Sequence, residues 1–251
     1  LDARLSTIMY QMFGSHLSVA GGLHNALLDA RALDMECVQV FTKNQRQWKA
    51  KPLNDEQIAL WDQHRRQTAL DEVVSHSSYL INLASPEAQA RGKSVTLFKD
   101  ELRRCQSLGI PNLVIHPGAH MGAGEQRGLE RVVRSLDRAH ESLPDLSVVT
   151  CLEVTAGQGT SLGWQFEHLR HIIDRVQQPG RLAVCLDSAH MLAAGYDLTS
   201  ARGCGRVLDE VSQVIGMDLV RVIHMIDSKV PRGRRVDRHE HIGLGEVSLQ
   251  A

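Results

Sequence analysis

The chain has 251 residues, 43% of them apolar and 23% charged, with a formal net charge of -1. Those proportions belong to a globular chain with a full core and exclude a disordered or low-complexity one. The near-zero charge decides neither for nor against a nucleic-acid partner, and no apolar stretch is long enough to span a bilayer. Residues 1–10 lack the charged-then-apolar order of a secretion signal. Because the chain begins with Leu1 rather than Met, its first residue is not expected to be the translation start. The five cysteines (Cys37, Cys105, Cys151, Cys185 and Cys204) include no CxxC pair, and their odd number argues against a disulfide framework. Cys37, Cys151 and Cys185 lie in apolar runs and read as small buried residues, which points to a reducing compartment.

In chain order, residues 12–18 read as a short strand, broken by Gly21-Gly22, and 23–33 as a helix. A second apolar run covers 37–41. Asn54, with Pro52 just before it, caps a helix through about Ala69. A third strand, 72–75, ends at His76. A long helix over 87–108 closes at Gly109. A fourth strand, 112–115, ends at His116-Pro117-Gly118. A helix covers 124–143, and a fifth strand, 146–152, ends at Glu153. A helix covers 162–176, and a sixth strand, 182–186, ends at Asp187, with His190 one helical turn on. A helix covers 200–215, and a seventh strand, 219–223, ends at His224. No linker divides the chain, so residues 1–251 read as one domain.

Strand and helix alternate, which predicts parallel strands with crossover helices. The strands are apolar on both faces, as expected when both faces are covered. Five successive strands end in His76, His116, Glu153, Asp187 and His224. In a (β/α)8 TIM barrel such ends converge on one rim. An open doubly wound sheet would spread them over a wider crevice, and no GxGxxG follows the first strand to favour it. Singly, each has an ordinary reading: a packed histidine, or for Asp187 a helix N-cap. Together with His190, Asp237 and His239 they make eight nitrogen and oxygen donors. One zinc takes three or four, so eight point to two or three metals with a bridging carboxylate. Such a site suits phosphoester hydrolysis. Imidazole favours zinc or manganese over magnesium. Lys229, Arg232, Arg234, Arg235 and Arg238 crowd the approach to Asp237 and His239. As a bare charge run they are a solvated loop; beside a hydrolytic site they fit a polyanionic substrate.

Several runs resemble the endonuclease IV family of apurinic/apyrimidinic endonucleases. They are Phe41-Thr42-Lys43-Asn44-Gln45-Arg46-Gln47-Trp48, Ser78-Tyr79-Leu80-Ile81-Asn82-Leu83, His116-Pro117-Gly118, Thr155-Ala156-Gly157-Gln158-Gly159, Ala194-Gly195-Tyr196-Asp197 and Val236-Asp237-Arg238-His239. The similarity runs in order from about Gly14 to Glu246. It implies a (β/α)8 barrel with three zinc ions that hydrolyses double-stranded DNA 5′ to an abasic site, leaving a 3′-hydroxyl and a 5′-deoxyribose phosphate. By motif, His76, His116 and Glu153 would hold one zinc. Glu153 would bridge to a second, with Asp187 and His224. His190, Asp237 and His239 would hold the third. The catalytic step would be attack by a water activated beside Glu153, with no covalent protein intermediate. Arg46, Tyr79 and Leu80 would enter the DNA where the abasic nucleotide leaves the stack, which costs least where no base is paired. From the residues alone, Tyr79 and Leu80 read as ordinary loop packing. A monomeric bacterial cytoplasmic protein, associated with the nucleoid and not with a membrane, is implied.

The chain departs from this pattern in four places. The eighth strand and its zinc-binding glutamate have no counterpart before Ala251, so the fold is expected to be a TIM barrel truncated at its C-terminus, with exposed edges and a weakened second zinc site. Val154 and Ile226 stand where the family has Asn, and Ser77 where it has Asp, which removes polar partners expected to orient ligands. Two other readings compete. A sugar isomerase or epimerase on the related barrel would hold one metal among carboxylates, and a non-catalytic binder of abasic DNA would bind without cutting.

Overall fold

The computed structural model describes residues 12–251, so the reading of residues 1–10 lies outside it. Strands and helices alternate from β1 (Gly14–His16) and α1 (Asn25–Ala32) through β2 (Cys37–Val40), α2 (Asp55–Thr68), β3 (Glu72–His76), α3 (Ala88–Ser107), β4 (Asn112–Ile115) and α4 (Glu125–Glu141). They continue through β5 (Val149–Glu153), α5 (Phe166–Ile173), β6 (Leu182–Asp187), α6 (Ser188–Ala194), α7 (Ala201–Val214) and β7 (Val220–His224). A two-residue antiparallel ribbon follows, β8 (Asp227–Ser228) with β9 (His239–Glu240). The elements match those expected, with tighter ends. The first strand keeps three residues and the fifth starts at Val149. The helix expected over 162–176 is limited to α5, because the chain before it is held as a loop by the Ala119–Ser161 bridge. Asn54 caps α2 as expected: its Oδ1 accepts from Gln57 N at 2.8 Å, and Gln57 Oε1 accepts from Asn54 N at 3.2 Å.

The seven strands β1 to β7 are all parallel and hydrogen-bonded in sequence order. Their sheet is strongly curled. Laid flat, β2 and β7 would be about 24 Å apart, five spacings of roughly 4.8 Å. Instead His224 Nε2, at the tip of β7, lies 2.9 Å from Gln39 Oε1 on β2. The fold is a TIM-type α/β barrel curled from seven parallel strands, and no eighth parallel strand occurs among the described residues.

Two apolar layers follow from strand alternation. Outside, between sheet and helices, lie Val38, Val40, Leu113, Leu152, Val184 and Leu186 with the helix faces. Inside, Val114, Val149, Cys151, Ala183, Cys185 and Val222 form a small second cluster against which Val74 packs. The inner row is the one that counts for function. Two residues beyond Val74, Val114, Cys151, Cys185 and Val222 stand His76, His116, Glu153, Asp187 and His224. An apolar barrel interior therefore ends, at one rim, in a layer of ligating groups. On β7 this parity depends on a bulge. Val184 pairs with Val220 but Cys185 pairs with Val222, so Arg221 is an extra residue. Without it Ile223, not His224, would oppose Asp187.

Candidate metal centre and active site

Glu153 stands at the middle of the rim, 1% exposed. Its two oxygens face different imidazoles. Oε2 lies 3.0 Å from His76 Nε2 and 3.1 Å from His116 Nε2. Oε1 lies 3.0 Å from His224 Nδ1 and 3.4 Å from His190 Nδ1. Asp187 Oδ2 is 3.6 Å from His224 Nδ1, and its Oδ1 accepts from His190 N at 2.7 Å. Asp187 is thus a helix N-cap and a rim carboxylate at once. The β8–β9 ribbon folds back over the rim and brings Asp237 and His239 to the far side of His190. His190 Nε2 lies 3.3 Å from Asp237 Oδ2, and His239 Nε2 lies 3.1 Å from Asp237 Oδ1. All eight residues singled out in the sequence meet here.

Burial by itself would raise the Glu153 carboxyl, but the charge of His116 and hydrogen bonds from His116, His190 and His224 hold it well below the usual range. The imidazoles answer in kind. Burial disfavours the charged form of His190, yet Asp187, Asp237 and Glu153 hold it well above the ordinary value. His224 is raised as well, against burial, by Cys185, Asp187 and Glu153. A hydrogen bond to Asp237 raises His239. Asp237 is depressed by His190 and His239 despite burial. These carboxylates are built to face concentrated positive charge.

The donors fit metal ions. Three sets of ligand atoms each lie within 4.8 Å of one another: His76, His116 and Glu153; Glu153, Cys185 and His224; and Asp187, His190 and His239. Asp187 Oδ2 and His116 Nε2 are buried without an aligned hydrogen bond among the described residues. Leaving such atoms unsatisfied is costly, and a cation beside each removes the cost. Cys185 is the one member of these sets that sequence reading did not single out; it sits one inner-row step below Asp187.

Where side chains expected to orient the ligands are absent, backbone carbonyls orient them. His76 Nδ1 donates to Ser77 O at 2.8 Å, and His190 Nδ1 donates to Val154 O at 2.9 Å. A carbonyl is available whatever the side chain, so the replacements at 77 and 154 leave both rings fixed.

Around the rim stand the remaining candidates. Tyr79 is 61% exposed, with its ring 5.2 Å from that of His76 and 5.7 Å from that of His116. Arg46 is exposed on the loop after β2. Leu80 is half-buried and packs against the main core. A cleft of about 230 Å³ opens beside His76 and His116, lined also by Tyr79, Asn82, Gly118 and Ser161. Gly118, at φ +110°, admits no side chain: a Cβ would lie 2.4 Å from Asn82 Oδ1. Of the basic loop, Lys229 pairs with Glu240, Arg232 with Asp197, and Arg235 stacks 3.7 Å over Trp164. Arg234 and Arg238 are exposed.

Comparison with known proteins agrees with this geometry. The family model described as xylose isomerase-like TIM barrel matches residues 27–251. A probable endonuclease 4 of Geotalea daltonii is 44% identical over 245 residues, which cover 97% of this chain and 85% of the relative. The chain belongs to the endonuclease IV family. The crystal structure of endonuclease IV from Thermus thermophilus superposes with a TM-score of 0.82 at 33% identity, covering 94% of this chain and 84% of that one. A D-tagatose 3-epimerase-like protein shares the fold with a TM-score of 0.72, but at 18% identity it shares no more than that. As a member of the endonuclease IV family the chain is an enzyme, a hydrolase. No helix among its described residues is long and apolar enough to cross a membrane.

Proposed function

We propose that the chain is a zinc-dependent endonuclease that hydrolyses the DNA phosphodiester 5′ to an abasic site, leaving a 3′-hydroxyl and a 5′-deoxyribose phosphate. One observation carries this reading. A single buried carboxylate, Glu153, presents its two oxygens to two different sets of imidazoles, which is the arrangement of a bridge between metal sites. His76 and His116 would hold one metal with Glu153; Asp187 and His224 a second; His190, Asp237 and His239 a third. Bound there, zinc makes water nucleophilic near neutral pH and offsets the charge that develops on phosphorus and the leaving oxygen.

The chain's own residues supply the rest. Glu153 fixes the spacing of the two halves of the site. The carbonyls of Ser77 and Val154 hold the His76 and His190 rings in place. Tyr79 stands over the His76 and His116 rings, where it can fill the space left by a missing base. Arg46, Arg234 and Arg238 offer cations to the flanking phosphates. The double-stranded substrate thereby meets positive charge at the rim although the chain as a whole is nearly neutral.

The epimerase alternative calls for one metal, and three donor sets weigh against it. The deciding test is incubation of zinc-reconstituted protein with a labelled duplex holding one abasic site. A single 5′ incision, removed by a strong chelator and restored by zinc, is expected, with more than one metal per chain by elemental analysis. Failure of a folded, metal-loaded sample to cut overturns the reading, and tight binding without incision selects a damage-binding protein instead.

A further inference from the structure

We propose that Glu101 is a positioning residue for substrate binding: from α3 it ties the Arg46 loop to the Tyr79 loop, so that both reach abasic DNA as one unit. The inference rests on the reading above, in which those loops touch the substrate.

The two loops leave the tips of β2 and β3, and loops of this kind ordinarily move independently. Here one carboxylate lies between them. Glu101 is 1% exposed, and its Oε2 accepts from Thr42 Oγ1 at 3.3 Å while its Oε1 accepts from Ser78 N at 3.2 Å. Lys43 Nζ stands 3.9 Å from the same Oε1. The lysine also donates to Asn44 O at 3.1 Å and Gln47 O at 2.7 Å, closing the turn that carries Arg46. Asn44 Oδ1 accepts from Arg46 N at 2.9 Å inside that turn. From the other loop, Ser78 Oγ donates to Gln45 O at 2.6 Å and accepts from Leu80 N at 3.3 Å. Ser78 therefore joins the residue before Arg46 to the residue after Tyr79. Arg104, one turn along α3 from Glu101, donates to Thr42 O and Oγ1 and to Lys51 O.

The charges explain why the carboxylate is there. Lys43 and Arg104 are both buried cations, each spent on loop carbonyls. Glu101 is the acid between them, and without it two buried positive charges would repel across the base of both loops. The network comes nearest to the metal ligands at the Ser77–Ser78 peptide, whose N–H meets Glu101 and whose C=O accepts from His76 Nδ1; its other end, Thr42 with Glu101 and Arg104, bears on the Arg46 loop and is the end tested below.

Steady-state incision of a duplex holding one tetrahydrofuran abasic analogue, with zinc-loaded protein, tests the coupling. KM and kcat are measured for Arg46→Ala, Tyr79→Ala and the double variant, each in the native and in the Thr42→Val background. Valine keeps the shape of threonine and removes the hydroxyl that meets Glu101. In the native background the double variant should raise KM little more than the stronger single one, about tenfold short of the product. In the Thr42→Val background the two losses should multiply. Thr42→Val alone should raise KM about tenfold with kcat within twofold, and Thr42→Ser should restore the native KM. Glu101→Gln should act in the same direction and more strongly; should it not fold, the threonine pair carries the test. Losses that multiply in the native background, an unchanged KM in Thr42→Val, or a fall in kcat alone overturns the proposal. Protein that cuts normally while Arg46→Ala and Tyr79→Ala leave KM unchanged overturns it through the loop assignment. A native protein that neither binds nor cuts the duplex overturns the endonuclease reading first, and this proposal with it.

Discussion

Glu153 is the residue on which the site's electrostatics turn, because each oxygen serves a separate group of rings. Glu153→Gln keeps the shape and one acceptor but removes the charge, which leaves buried imidazoles uncompensated. Metal affinity should fall by more than the roughly 10–100-fold that loss of an outer partner costs, and incision should fall with it; elemental analysis and turnover check both. His140 shows the opposite case, a histidine kept neutral. It is buried, and its Nε2 shares a hydrogen bond with Thr150 Oγ1 at 3.2 Å. Burial, and then the charge of Arg181, lower its pKa to about 4 from an ordinary 6.5. The folded state therefore binds fewer protons than the unfolded one between these values. Stability is fully present above pH 6.5 and is lost as pH falls toward 4, by roughly 3 kcal/mol for this group. Urea unfolding across that window should show a slope shallower by one proton in His140→Gln.

Among the elements, β7 and the β8–β9 ribbon decide which side chains reach the rim. The bulge at Arg221 turns the end of β7 so that His224 opposes Asp187. Inserting one alanine after Val222 should put Ile223 at that place, abolish the second donor set and lower metal content by about one ion per chain, while the rest of the sheet still forms by circular dichroism; deleting Arg221, the unpaired residue, should leave His224 opposite Asp187 and the metal content unchanged. The ribbon hangs on Asp227, which accepts from the backbone N–H groups of Ser228, Gly243, Gly245 and Val247 at 2.7 to 3.0 Å. Those bonds outweigh burial and hold its carboxyl below the usual range. Asp227→Asn offers one acceptor oxygen in place of two. Hydrogen exchange should rise across residues 239–247, and the site containing His239 should lose metal affinity ahead of the other two. A loss shared equally by all sites would show that the ribbon does not position His239.

For the whole molecule, the rim is where five strands and one ribbon are held at a single point, so occupancy of the site and stability are linked. Each metal present at a hundredfold its Kd adds about 2.7 kcal/mol to the folded state. Removing one by chelation should lower Tm by roughly 5–10 °C for a chain of this size, and calorimetry with and without zinc measures it. The curled sheet also leaves β1 and β7 without a partner on their outer sides among the described residues. Ile223 and Met225 near one edge, and Met12 and Phe13 near the other, are exposed.

Much of this was legible in the chain itself. Alternating apolar runs and capped helices specify a parallel α/β barrel, because hydrogen-bond period and capping are local. The two-residue step from an inner apolar residue to a ligand is written plainly in Cys151/Glu153 and Cys185/Asp187, and the strand-end pattern, with His190 one turn past Asp187 and the Asp237-Arg238-His239 run, picks out all eight rim residues. Pairing between distant strands decided the rest. Whether His224 or Ile223 faces inward depends on a bulge that exists only against β6. Glu101, in the middle of a helix like any surface acid, becomes the tie between two loops only once α3 lies beneath the tips of β2 and β3. Local periodicity tells which residues share a face, but only the packed neighbours determine what that face meets.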